Sequence, residues 1–174
     1  MSGRSPTAVF RYATSTSRAT FTHLMAIWQF DVSFVPRGGT LPWQTEDGHD
    51  GPPLPEMVAV SAHAWLLNHF GKPWLMMEGW LVFGHENGNR FDFLFNEDGS
   101  ANLSARVDAR SDFESFAAAL SELASTTNCL LFSAEFWAAI EPSREELVAA
   151  ITRSRASMYV KNPRSVLGGG NSNL

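Results

Sequence analysis

The chain is poor in cysteine, in basic residues and in long apolar runs, and each shortage removes a class of function. Cys129 is the only cysteine among 174 residues. A lone thiol cannot close an intrachain disulfide or build a cysteine-based zinc site. It lies in the apolar run "NCLLFSAE", which predicts a buried thiol rather than a nucleophile. A chain without disulfides fits a reducing, cytoplasmic setting. Lys and Arg number 13 against 18 Asp and Glu, a formal net charge of -5. Binding to nucleic acid needs clustered cations to neutralise phosphates, so no nucleic-acid partner is expected, whereas a partner with a basic surface is. No apolar run reaches the roughly 20 residues of a membrane span, so no membrane partner is expected.

Motifs of catalysis are missing as well. There is no HExxH, P-loop, dinucleotide fingerprint, G-x-S-x-G elbow or kinase motif set. Gly168-Gly169-Gly170 precedes no helix and no Lys-Ser/Thr, so it reads as a flexible tail, 168–174, behind a single globular domain over 1–167. No catalytic residue, metal ligand set or cofactor is assigned, and the reading leans away from an enzyme. Triads assembled from distant residues keep an enzyme open as an alternative. Acidic residues are absent from the first thirty positions, which carry Arg4, Arg11 and Arg18 among many Ser and Thr. That is the composition of an organellar transit peptide. The stripe Phe21, Leu24, Met25 and Trp28 favours instead a strand over Ala8 to Thr14 and a helix over Ser17 to Gln29.

What is present is a folded domain rich in aromatics, with thirteen Phe and six Trp. "FDVSFVP" alternates Phe30, Val32 and Phe34 and predicts a strand. A long Pro/Gly loop, "TLPWQTEDGHDGPPLP", follows. Pro55 opens a helix that Gly71 ends after Phe70, with Trp65, Leu66 and Phe70 on its apolar side. "WLMMEGWLVFG", "RFDFLF" and "NLSARVD" predict three successive strands joined by the tight connectors "HENGN" and "NEDGS". Phe91, Phe93 and Phe95 share one face, as do Leu103, Ala105 and Val107, leaving Asn102, Ser104, Arg106 and Asp108 on the other. "SDFE" from Ser111 and "SREE" from Ser143 read as capping boxes of two helices, the second with Leu147, Val148, Ile151 and Met158 inward. "CLLFSAE" predicts a strand between them. The fold class is α+β or mixed α/β: one mainly antiparallel sheet with a central meander, packed by about four helices.

The C-terminal half, "ARVDARSDFESFAAALSELASTTNCLLFSAEFWAAIEPSREELVAAITRSRASMYVKNP", resembles small bacterial immunity proteins of polymorphic-toxin systems. The shared pattern is a strand ending in an Arg-Asp-Arg-like run, an Ala/Leu helix, a strand, and a last helix after "IEPSREEL". The resemblance implies a single-domain cytoplasmic protein that neutralises a secreted toxin by binding it; a monomer or homodimer is expected. It carries over no toxin-contact residue.

Contact residues are therefore read from the chain itself. Trp43, Glu46, Asp47 and Asp50, with Glu97 and Asp98, form the expected partner surface, because aromatics supply hot-spot area and carboxylates steer a basic partner. The competing reading buries the tryptophans and leaves the carboxylates to solvate a loop. Arg106, Asp108 and Arg110 share one side of a strand and, with Asp92, form a candidate anion or polar site for a small-molecule enzyme or sensor. The competing reading is a ladder of cross-strand ion pairs. His85, Glu86 and Asp92 lack metal-ligand spacing, and His63 and His69 are six apart on one helix, so neither set is expected to hold a metal. A third alternative is a structural subunit of a larger assembly.

Overall fold

The computed structural model describes residues 26–164. The expected first strand, the opening of the expected first helix and the glycine-rich tail lie outside them. Where that helix should close, the structure differs. Ile27 and Trp28 form a turn and β1 (Gln29–Pro36) begins at once. The Ala26 N–H donates to Gln29 Oε1 at 3.0 Å, and the Gln29 N–H donates back to the Ala26 carbonyl at 2.8 Å. The period of two in Phe30, Val32 and Phe34, all buried, takes over from there.

The expected long loop also gains structure. It holds a small antiparallel hairpin, β2 (Trp43–Thr45) and β3 (Gly48–Asp50), turned by Glu46 and Asp47. Helix α1 (Glu56–Phe70) has Pro55 at its N-cap and closes with the Gly71 N–H on the Leu67 carbonyl at 3.0 Å. It buries Ala59, Ala62 and Leu66 and leaves Met57, Val60 and Leu67 outside. "WLMMEGWLVFG" is not one strand but two, β4 (Trp74–Met77) and β5 (Trp80–Gly84), because Glu78 and Gly79 make a turn. β6 (Arg90–Phe95) and β7 (Ala101–Asp108) complete a meander of consecutive hairpins.

Helix α2 (Glu114–Thr126) starts later than its capping pattern suggests. Ser111 does not cap it: its hydroxyl donates to the Asp108 carbonyl at 2.9 Å, and Asp112 Oδ1 accepts the Glu114 N–H at 3.2 Å instead. After β8 (Cys129–Ser133) and β9 (Ala138–Ile140), the serine half of the second box forms, while the Ser143 N–H donates to the Glu141 carbonyl at 2.8 Å and not to Glu146. Ser143 Oγ accepts the Glu146 N–H at 3.2 Å and opens α3 (Arg144–Arg153). The helix then breaks at Ser154, whose hydroxyl donates to the Ile151 carbonyl and accepts the Ser157 N–H, so one serine ends α3 and caps α4 (Arg155–Lys161). The break turns Met158 outward, against the sequence expectation.

The strands form a seven-stranded antiparallel sheet in the order β4-β5-β6-β7-β1-β8-β9. All four helices join one apolar cluster with a single sheet face, built on Phe30, Phe34, Phe91, Phe93, Leu103, Val107 and Leu131. That is an α+β fold. Cys129 is buried in the same cluster, and burial pushes its thiol pKa up, as expected of an inert thiol. No helix among the described residues is long and apolar enough to cross a membrane.

Pairing places β1 antiparallel to β7, with Gln29 opposite Asp108 and Ser33 opposite Ser104. One end of the sheet therefore gathers the turn 84–90, the end of β7 and the start of β1. The other gathers the turn 96–100 and the excursion 37–55 that carries β2 and β3, held by a bridge from Leu54 to Ala101. The arginine–aspartate set falls at the first end and the turn of Glu97 and Asp98 at the second, while the hairpin reaches from the second end over Phe132, on the sheet face away from the helices, to Trp137 in the turn between β8 and β9.

Candidate functional site

At the hairpin end, cross-strand pairing sorts the residues by face. Trp43 lies opposite Asp50, and Gln44 opposite His49, so Trp43 and His49 project from opposite faces of the hairpin. His49 faces the sheet but stays exposed, its ring 5.9 Å from Phe132 and 6.4 Å from Trp137. Trp137 also packs edge-on against Phe132, at 5.2 Å. Trp43 turns outward and is 46 % exposed, while Trp137 is 43 % exposed. Trp137 sits at φ 51°, a left-handed conformation that costs a bulky residue about 1–2 kcal/mol. Such outliers persist where the surroundings hold them, and they gather at functional surfaces.

The expected acidic residues at this end separate into two kinds. Glu46, Asp47 and Glu97 are exposed on turns. Asp50 is half-buried, and its Oδ1 accepts the Gly51 N–H at 2.8 Å. Asp98 serves its own turn: Oδ1 accepts the Ser100 hydroxyl at 2.5 Å and the Ser100 N–H at 2.9 Å, and these bonds hold its carboxyl below the usual range. Asp98 and Asp50 each support local backbone.

At the other end, the polar sheet face carries three arginine–aspartate pairs. Arg106 donates through Nε and Nη2 to Asp31 at 3.1 and 3.2 Å, a cross-strand pair with Asp31 directly opposite. Arg90 donates through Nε to Asp92 at 3.0 Å and through Nη1 to the Glu86 carbonyl at 2.9 Å. Asp92 also accepts the Trp80 indole N–H at 3.0 Å. Arg110 grips Asp108 through Nε and Nη2, at 2.9 and 2.7 Å, and lies 4.3 Å over the Trp28 ring. Burial raises the Asp108 carboxyl pKa, but hydrogen bonds and charge from Arg110 outweigh it, and the net shift is downward. Arg106 and Asp108 are each taken by a partner of their own, Asp31 and Arg110.

The turn before β6 is locked to this end. The Asp108 N–H donates to Asn89 Oδ1 at 2.8 Å, and Asn89 Nδ2 donates to Ser111 Oγ at 3.3 Å. Gly84 sits at φ +115°, where a Cβ would meet the Asn89 carbonyl at 2.5 Å, so only glycine fits. His85 and Glu86 are exposed on this turn, apart from Asp92. A cleft of about 300 Å³ opens beside it, walled by Trp28, Met76, Glu86, Arg90, Arg106 and Arg110 among others.

Arg90, Asp31 and Trp137 are not singled out by the sequence, and Trp28 is read there only as part of an apolar stripe. Alternation in "RFDF" and "FDVS" does place Arg90 beside Asp92, and Asp31 opposite the Phe30 face. The register that brings Asp31 to Arg106, 75 positions away, has no local signal. Of the other histidines among the described residues, His63 is half-buried and His69 is exposed but stacked. His63 lies among Phe83, Phe93 and Phe95, and burial lowers its pKa. His69 stacks on Trp65 at 3.8 Å. Among the described residues no group of three His, Cys, Asp or Glu could hold a metal ion. Comparison with known proteins finds no matching family model, no matching curated protein and no matching solved structure.

Proposed function

We propose that this chain is a non-catalytic binding protein of the immunity type, acting in the cytoplasm by docking its hairpin end onto a basic surface of a toxin domain. The observation that carries the reading is the pair of half-exposed tryptophans, Trp43 and Trp137, on either side of a hairpin turned by Glu46 and Asp47. Exposed indoles offer large contact area at low entropic cost, and carboxylates around them speed encounter with a cationic partner. The net charge of -5 works in the same direction.

The test is affinity capture from a lysate of the source organism, followed by titration of the captured partner. Wild type should hold the partner with an affinity that falls as salt rises, and Trp43→Ala with Glu46→Lys should weaken it by at least about 2 kcal/mol, the size of a hot spot. Binding that ignores both the substitutions and the salt would reject this surface.

A further inference from the structure

The arginine cleft at the opposite end of the sheet has an unusual charge arrangement. Arg90 and Arg106 are directly opposite each other on neighbouring strands, yet only 3 % and 8 % exposed. Like charges placed so are destabilising, because their Cβ atoms stand about 5 Å apart. Asp92 and Asp31 each compensate one guanidinium, but neither they nor Asp108 walls the cleft. The guanidiniums do. Among the described residues, Arg90 Nη2 and Arg106 Nη1 make no hydrogen bond, although the other nitrogens of both forks do. Two buried, preoriented cations thus keep one donor arm each, with Arg110 beside them on the same wall. Asp31 and Asp92 fix the forks in place, so little side-chain entropy remains to be lost on binding. Trp28 and Met76 add apolar wall to the same cleft.

We propose that this cleft binds a small phosphomonoester, its phosphoryl oxygens taken by the arginine arms and its organic part laid against Trp28 and Met76. A tetrahedral dianion suits the site because planar forks bind phosphate oxygens strongly and directionally. Each guanidinium already has an aspartate partner, so the ligand is recognised by the unbonded donor arms and not by uncompensated charge. The cleft is at the small end of ligand pockets, which argues for a ligand no larger than a single ring with its phosphate. Glu86 is the one acidic residue on the wall and opposes such a ligand.

Calorimetric titration of the full chain with phenyl phosphate and with inorganic phosphate, at low ionic strength, tests this. Phenyl phosphate should bind with saturation at one site per chain, and more tightly than inorganic phosphate. Glu86→Lys, on an exposed turn, should tighten phenyl phosphate by at least about threefold, because the reversal changes the local charge by two units across several ångströms of water. Arg110→Gln should weaken it by about tenfold, the loss of one charge-assisted contact. Thermal melts establish that each variant is folded. If Arg110→Gln does not fold, Glu86→Lys decides alone. No saturable binding to wild type, or an affinity unmoved by Glu86→Lys, overturns the proposal.

Discussion

The two ends of the sheet carry similar residue types and use them in opposite ways. At the cleft end, Arg106 and Asp31 face each other across paired strands, and Arg90 and Asp92 stand two apart on one strand face, so alternation and register draw these charges together and largely bury them. At the hairpin end, Glu46, Asp47 and Glu97 stand on turns and project into solvent. The strand-face charges are drawn into the fold's own network, while Glu46 and Glu97 make no ion pair among the described residues. Asp98 marks the boundary, since it is on a turn but holds Ser100.

Removing one partner from a buried pair should therefore give the largest effect. Arg90→Ala leaves Asp92 nearly buried and without its cation, and we expect a loss of about 3–5 kcal/mol in urea unfolding. A loss below about 1 kcal/mol would place that pair with ordinary surface ion pairs and erase the contrast between the ends. Asp98→Asn should lower the melting temperature, while Glu97→Gln on the same turn should leave it unchanged; equal effects would remove Asp98 from its turn-holding role. Smallest should be the cost of Glu46→Lys and Asp47→Lys, within about 0.5 kcal/mol in stability.

The core between the two ends adds a dependence on pH. Burial depresses the His63 pKa in the folded state, so below the unfolded value, about 6.5, the unfolded chain takes up the proton first. Stability is full above that value and falls as pH drops through it towards the folded value. Replacing His63 by Leu should flatten this part of the stability profile. A profile that keeps its slope in the variant would assign the titration elsewhere.

The sequence and the structure agree most where a local period decides the outcome. Phe91, Phe93 and Phe95, the apolar side of α2 and the Ser143 cap need only neighbours a few residues away, and they stand where the pattern puts them. The errors arise where local signals compete. "WLMMEGWLVFG" is apolar enough to read as one strand, yet Gly79 folds it into a hairpin. "SDFE" has a capping pattern, but the Ser111 hydroxyl is taken by the Asp108 carbonyl. The hairpin of β2 and β3 hides in a proline-rich stretch because each strand is only three residues long. At the candidate sites, residue types were legible but partners were not. Arg106 was visible as a strand-face cation, but pairing with Asp31 follows from β1 entering the sheet beside β7, a tertiary choice.

The most direct measurement compares capture of the lysate partner by two variants altered at opposite ends, Trp43→Ala with Glu46→Lys at the hairpin and Glu86→Lys at the cleft. We predict that the hairpin variant loses the partner and the cleft variant keeps it at wild-type strength. Retention by the hairpin variant, or loss by the cleft variant alone, would contradict a partner surface at the hairpin end.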